Sequence, residues 1–204
     1  IDFEIDDLMP ILDDDIDFIR GLPFFELFIV QIDYPGKRMR IVDRKSLDLK
    51  KFANVKMKRS GGSGHPQIQV NLNGEMNAWL MLDTGNNGGI YMQRSKVEKR
   101  GWLEQYRSTE SVVTGANATA TGTETFRLPA MTIGPYEMEN IEVFVPADGE
   151  KTNLSRLDTV SWSTGTHLKK DKKTMGILGY DILQHFIVTI DFKRSLLNLD
   201  VPRE

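Results

Sequence analysis

In Ala78-Trp79-Leu80-Met81-Leu82-Asp83-Thr84-Gly85 an unbroken apolar run, Ala78 to Leu82, leads straight into the carboxylate of Asp83. A run of this length bounded by turn residues reads as a buried strand. Upstream, Gln67-Ile68-Gln69-Val70-Asn71-Leu72 alternates polar and apolar residues, and Asn73-Gly74 supplies a hairpin turn between the two segments. A buried strand that delivers Asp-Thr-Gly places a carboxyl group at the mouth of a sheet. Gly85 permits a sharp turn and a close backbone approach, and the Thr84 hydroxyl can fix the loop by a hydrogen bond.

One such carboxylate is a poor catalyst of amide hydrolysis. Two that face each other share a proton, because like charges about 3 Å apart cannot both ionise. The ionised member then takes a proton from water while its partner polarises the carbonyl. That chemistry needs a second Asp, and no other Asp-Thr-Gly or Asp-Ser-Gly occurs in the 204 residues. Taken alone, the tripeptide reads equally as a turn that closes a hairpin.

Further along, short strands are expected at 110–114, 121–127, 130–133 and 140–145, with helices confined to 93–100 and 180–185. The fold class expected is all-β with short helices. Gly21 to Tyr34 matches Gly179 to Phe192 without gaps, with identities at the glycine, at Phe-Ile-Val and at Ile-Asp. In both copies basic residues and a second apolar strand follow. Either two amphipathic hairpins agree by chance, or each copy ends one lobe of a duplicated fold. The duplicated reading makes residues 1–50 the tail of a preceding lobe, 51–66 a linker containing Ser60-Gly61-Gly62-Ser63-Gly64, which reads equally as a hairpin tip, and 67–204 the main domain. Asp33 and Asp191 fall at matched positions and read as hairpin-turn residues.

The match extends beyond the tripeptide. Leu80-Met81-Leu82-Asp83-Thr84-Gly85, followed by Met175-Gly176-Ile177-Leu178-Gly179-Tyr180-Asp181-Ile182-Leu183 and a closing Phe186 to Phe192 strand, resembles the retropepsin-like branch of the aspartic proteases. The resemblance covers about two thirds of the chain. It implies a closed-barrel acid-protease lobe and an endopeptidase in which Asp83, Thr84 and Gly85 form the catalytic loop. Gly176, Ile177, Leu178 and Gly179 would thread beneath that loop and support it. Asn86, Asn87, Thr114, Gly115 and Ala116 would meet the peptide substrate. Val112 to Gly122 occupies the place of the family's mobile flap, and reads equally as an ordinary polar hairpin. The family usually follows Asp-Thr-Gly with Ala or Ser, where this chain has Asn86-Asn87.

The resemblance implies no metal or organic cofactor, and a second Asp from a homodimer or from an amino-terminal lobe. Bacterial relatives point to a periplasmic or secreted setting. A rival reading keeps the fold as a catalytically silent module that binds peptide or a protein partner.

Other chemistries find little footing. Cysteine is absent, which excludes thiol catalysis and disulfides. His65, His167 and His185 show no metal-binding spacing, Ser161 to Gly165 is no nucleophile elbow, and Gly61 to Gly64 is no phosphate loop. A net charge of −3 offers no general basic footprint for nucleic acid, and Lys169 to Lys173 reads as a solvated loop. No apolar stretch is long enough to span a bilayer. Asn117 and Asn153 begin sequons that matter only in a glycosylating pathway. The chain starts at Ile1, so a removed leader would leave no trace here.

Overall fold

A computed structural model describes residues 22–60, 64–114, 120–150 and 174–202. Strand β4 (Pro66–Leu72) turns through Asn73-Gly74 into β5 (Met76–Leu82), as the alternating pattern predicts. Both turn residues have positive φ, +53° and +70°, which Asn and Gly adopt at little cost. Along β5 the side chains of Met76, Ala78, Leu80 and Leu82 are buried, so one face of the strand is core throughout.

After the Asp83 loop come β6 (Ile90–Met92), helix α2 (Arg94–Glu98) and helix α3 (Trp102–Gln105). The helix expected over 93–100 is thus shorter, and Gly101 at φ +67° separates it from α3. Strands β7 (Thr109–Thr114), β8 (Ala120–Ile133) and β9 (Tyr136–Pro146) form the next antiparallel meander. The two strands expected at 121–127 and 130–133 are one, because Pro129 does not end the ladder. It sits opposite Asn140, whose φ of +56° bends β9 locally while pairing resumes at Ala130↔Glu139.

Then β10 (Gly176–Leu178) and helix α4 (Tyr180–Leu183) lead to the closing hairpin of β11 (Ile187–Asp191) and β12 (Leu196–Asp200). Neighbouring strands run β4-β5-β10-β6-β9-β8, and β8 returns to pair with β4. That closure makes a six-stranded barrel, the architecture expected for the main domain. Ile68, Leu72, Leu80, Ile90, Met92, Leu128, Met131 and Ile133 fill it with no exposed surface. Each such side chain contributes about 1.5–3 kcal/mol by leaving water. Trp102, equally buried, donates its indole N–H to Glu75 (3.1 Å).

The stretch expected as a linker contains β3 (Val55–Arg59), which pairs with β12 on one side and β4 on the other. The Ser60 N–H bonds the His65 carbonyl (2.9 Å) and the Gly64 N–H bonds the Ser60 carbonyl (3.2 Å), so Ser60 and Gly64 belong to a hairpin turn. Residues 61–63 lie outside the described residues. Val55, Lys56, Met57 and Lys58 alternate apolar and polar residues, but the run is short and lies inside a Lys-rich stretch, which hid the strand in the sequence.

The amino-terminal segment forms helix α1 (Leu22–Leu27), β1 (Ile29–Asp33) and β2 (Arg38–Val42), a helix followed by a hairpin like α4, β11 and β12. The two hairpins share one register: Val30 faces Ile41 as Val188 faces Leu199. Their turns agree atom for atom. Gly36 N–H bonds Asp33 Oδ1 (2.8 Å) and Arg194 N–H bonds Asp191 Oδ1 (3.3 Å), while Lys37 and Ser195 both take positive φ. Strand β1 pairs antiparallel with β11, and the equivalent residues Gln31 and Thr189 face each other at the centre. A local two-fold axis therefore relates the copies, and the Gln31 amide donates across it to Thr189 Oγ1 (3.0 Å).

Candidate active site

Asp83 leaves β5 directly, and its position is set from beneath. Strand β10 inserts between β5 and β6, parallel to the first and antiparallel to the second. The Asp83 N–H then bonds the Leu178 carbonyl (3.0 Å). Gly179 N–H bonds the Gly89 carbonyl (2.9 Å), Tyr180 N–H the Asn86 carbonyl (2.7 Å) and Asp181 N–H the Gly88 carbonyl (3.3 Å). The start of α4 thus grips the loop 86–89 through backbone bonds alone. Gly176, Ile177, Leu178 and Gly179, expected as the support of the loop, form β10 and the residue that follows it.

Glycine is required there by space. A Cβ at Gly176 would sit 2.3 Å from the Tyr91 carbonyl oxygen, and one at Gly179 would sit 2.5 Å from that of Gly88 and 2.6 Å from that of Asn86. Gly89, which the motif reading did not single out, is as constrained, with the Glu142 carbonyl oxygen 2.4 Å from a Cβ. The paired glycines 88 and 89 after the loop were the available signal.

Within the loop, Gly85 N–H donates to Asp83 Oδ1 (2.9 Å), and Gly88 N–H donates to Asn86 Oδ1 (2.8 Å). The departure from the family pattern at Asn86 therefore has a function: its side chain closes a second turn of the loop. Asp83 is half-buried, Thr84, Gly85 and Asn87 are exposed, and Asn86 is half-buried. Asp83 has no ion pair among the described residues, and the Thr84 hydroxyl has no hydrogen bond within them.

Two tyrosines complete the surroundings of Asp83, neither found by motif reading. Tyr34, on the turn after β1, stacks edge-on against Tyr180 at the start of α4, with ring centroids 5.8 Å apart. Its hydroxyl oxygen is buried and has no hydrogen-bond partner among the described residues. Burial pushes the Tyr34 hydroxyl up to about 12, and the nearby Tyr180 and Asp83 add to the rise. The amino-terminal segment thus places a phenol within electrostatic reach of the Asp83 carboxyl.

Strands β7 and β8 pair from Thr109↔Thr125 to Thr114↔Ala120, where the flap hairpin is expected, and β7 has no other neighbour in the sheet among the described residues. Thr114 is exposed at its end, while Gly115 and Ala116 lie outside the described residues. No group of three or more His, Cys, Asp or Glu among the described residues could hold a metal ion. No helix among them is long and apolar enough to cross a membrane.

A model of the aspartyl protease family matches residues 68–182, from β4 through α4 and more than half of the chain. The chain belongs to the aspartyl protease family. The resemblance read from the sequence is therefore shown, and the matched span holds the Asp83 loop, the β7–β8 hairpin and the supporting β10 of this aspartyl protease family member. Among solved structures it is similar to a retropepsin-like aspartic protease from Rickettsia conorii, with 21% identity, a TM-score of 0.44, and 69% of this chain and 94% of that chain covered. No curated protein sequence matches it.

Proposed function

We propose that this protein is an aspartic endopeptidase whose Asp83 is one of two carboxylates that activate water against a peptide bond. The observation that carries this reading is the Asp83 loop, held at a barrel mouth by the inserted β10 strand, in a member of the aspartyl protease family. Such a loop is costly to build: three glycines are sterically obligatory, and every polar backbone group from 86 to 89 that meets α4 is spent on holding it. A simple hairpin turn needs none of this.

In the proposed reaction the dyad holds one proton. The ionised Asp accepts a proton from the attacking water, and the protonated partner donates toward the carbonyl oxygen of the scissile bond. Water is the nucleophile. An extended peptide would lie between the Asp83 loop and the β7–β8 hairpin, with Asn87, Thr114, Gly115 and Ala116 as the candidate substrate contacts. Asn86 belongs to loop construction, and its part in binding would be through the loop it shapes.

Asp83→Asn tests the assignment. The variant keeps size and hydrogen-bond acceptance at Oδ1, so it should fold like the parent while cleavage of an unfolded protein falls by at least about 10³-fold. A statine-type inhibitor, which mimics the tetrahedral intermediate, should bind the parent and lose affinity for the variant. Cleavage by Asp83→Asn at the parent rate from about pH 3 to about pH 8 rejects the proposal.

A further inference from the structure

One face of β2, shared with Val30 and Ile32 of β1, carries an apolar surface with no cover among the described residues. Met39 is 50% exposed and Ile41 51% exposed, on a strand whose other positions include Arg38 and Arg40. Their counterparts in the carboxy-terminal copy are Leu197 and Leu199, both 0% exposed. Phe28, 36% exposed, likewise corresponds to Phe186 at 2%. The copies are congruent in register and in turn geometry, so the contrast does not come from their own conformation. It comes from what lies beside them. Strand β12 is flanked by β3, with Leu197 facing Val55, and behind it stands a complete barrel. Strand β2 ends the sheet among the described residues.

We infer that a second acid-protease lobe, encoded amino-terminal to residue 22, docks on β2 over Phe28, Met39 and Ile41, and that residues 22–42 are its closing helix and hairpin. The local two-fold axis through Gln31 and Thr189 then relates the two lobes, and it brings the carboxylate of the upstream lobe to face Asp83. A second copy of this chain could not use the same axis, because the edge of β11 that would meet its twin is already paired to β1. The docking part of the inference stands on the repeat and the exposed face. Its catalytic part rests on the peptidase reading.

Amide hydrogen exchange on two proteins tests it: the 204-residue chain, and the same chain carrying its natural upstream sequence. In the longer protein the β2 amides that point away from β1 should exchange at least about 100-fold more slowly than in the shorter, approaching β12. Met39→Lys with Ile41→Lys should erase that protection and leave exchange in β4, β5 and β10 unchanged, since both side chains are exposed in the 204-residue chain. Equal β2 exchange in the two proteins overturns the inference. So does a gene with no further lobe before Ile1. A dimer of the 204-residue chain that protects β2, or one in which Asp83→Asn subunits reduce cleavage as the square of the parent fraction, also overturns it by making the partner a second copy. Protection of β2 without cleavage or inhibitor binding in the longer protein upholds the lobe and rejects the peptidase.

Discussion

Replacing Gly179 with alanine should dislodge the Asp83 loop. Gly179 has φ −116° and ψ −163°, extended backbone that alanine adopts freely, so the effect is steric alone. The new methyl carbon would lie 2.5 Å from the Gly88 oxygen, 2.6 Å from the Asn86 oxygen and 2.9 Å from Asn86 Cγ, against an ordinary contact of 3.4 Å or more. The loop must recede by roughly 0.9 Å, and both crowding atoms are backbone, which has no rotamer to escape into. The same movement stretches the bonds from Tyr180 N–H to Asn86 and from Asp181 N–H to Gly88. Overpacking at about 1–3 kcal/mol, with two weakened hydrogen bonds at about 0.5–1 kcal/mol each, gives a loss of roughly 2–5 kcal/mol. For a chain of this size the melting temperature should fall by roughly 4–20 °C by calorimetry. A catalytic group displaced by about 1 Å costs on the order of 10²-fold in rate. Gly122→Ala is the control, because its nearest neighbour, Ala147 Cβ, is 3.5 Å away and no clash follows. A Gly179→Ala protein that melts within about 1 °C of the parent and cleaves equally well would refute the steric account.

Tyr34 makes a pH-dependent prediction. Its hydroxyl is raised in the folded state to about 12 from 10.0, so the folded protein holds a proton that the unfolded chain releases first. The resulting stability is full below about pH 10 and is lost as pH climbs toward about 12. Tyrosine absorbance titration should show one late-ionising group that is missing in Tyr34→Phe, and that variant should lose less stability over the same interval. At neutral pH Tyr34→Phe should be as stable as the parent or slightly more so, because the hydroxyl it removes is buried without a partner. Arg44 binds Asp191 Oδ1 (2.9 Å) and the Leu27 and Phe28 carbonyls, joining the amino-terminal segment to the closing hairpin. Asp191 is wholly buried, and Arg194 reaches it only at 3.7 Å, so Arg44→Ala should cost about 3 kcal/mol in urea unfolding. An unchanged midpoint would show that Arg194 takes over the charge.

Local pattern made much of this protein legible. The alternation of Gln67 to Leu72, the Asn73-Gly74 turn and the apolar run into Asp83 are short-range signals, and the structure follows them residue by residue. The matched copies at 21–34 and 179–192 could be aligned without coordinates, because a conformation built twice leaves a repeat. Strand β3 and the continuity of β8 through Pro129 could not be read, since each is held by partners distant in sequence: β12 and β4 for the first, β9 for the second.

Asp83 could be named as the candidate carboxyl from its neighbours in the chain. What stands around it could not. The threading of β10 beneath the loop, the steric need for Gly89 and the approach of Tyr34 all join residues tens of positions apart, and no local rule encodes such a meeting. The exposed face of β2 belongs to the same class. A sequence shows that Met39 and Ile41 are apolar, but burial is a property of packing, and only tertiary structure reveals that the face stands open while its twin at Leu197 and Leu199 is covered.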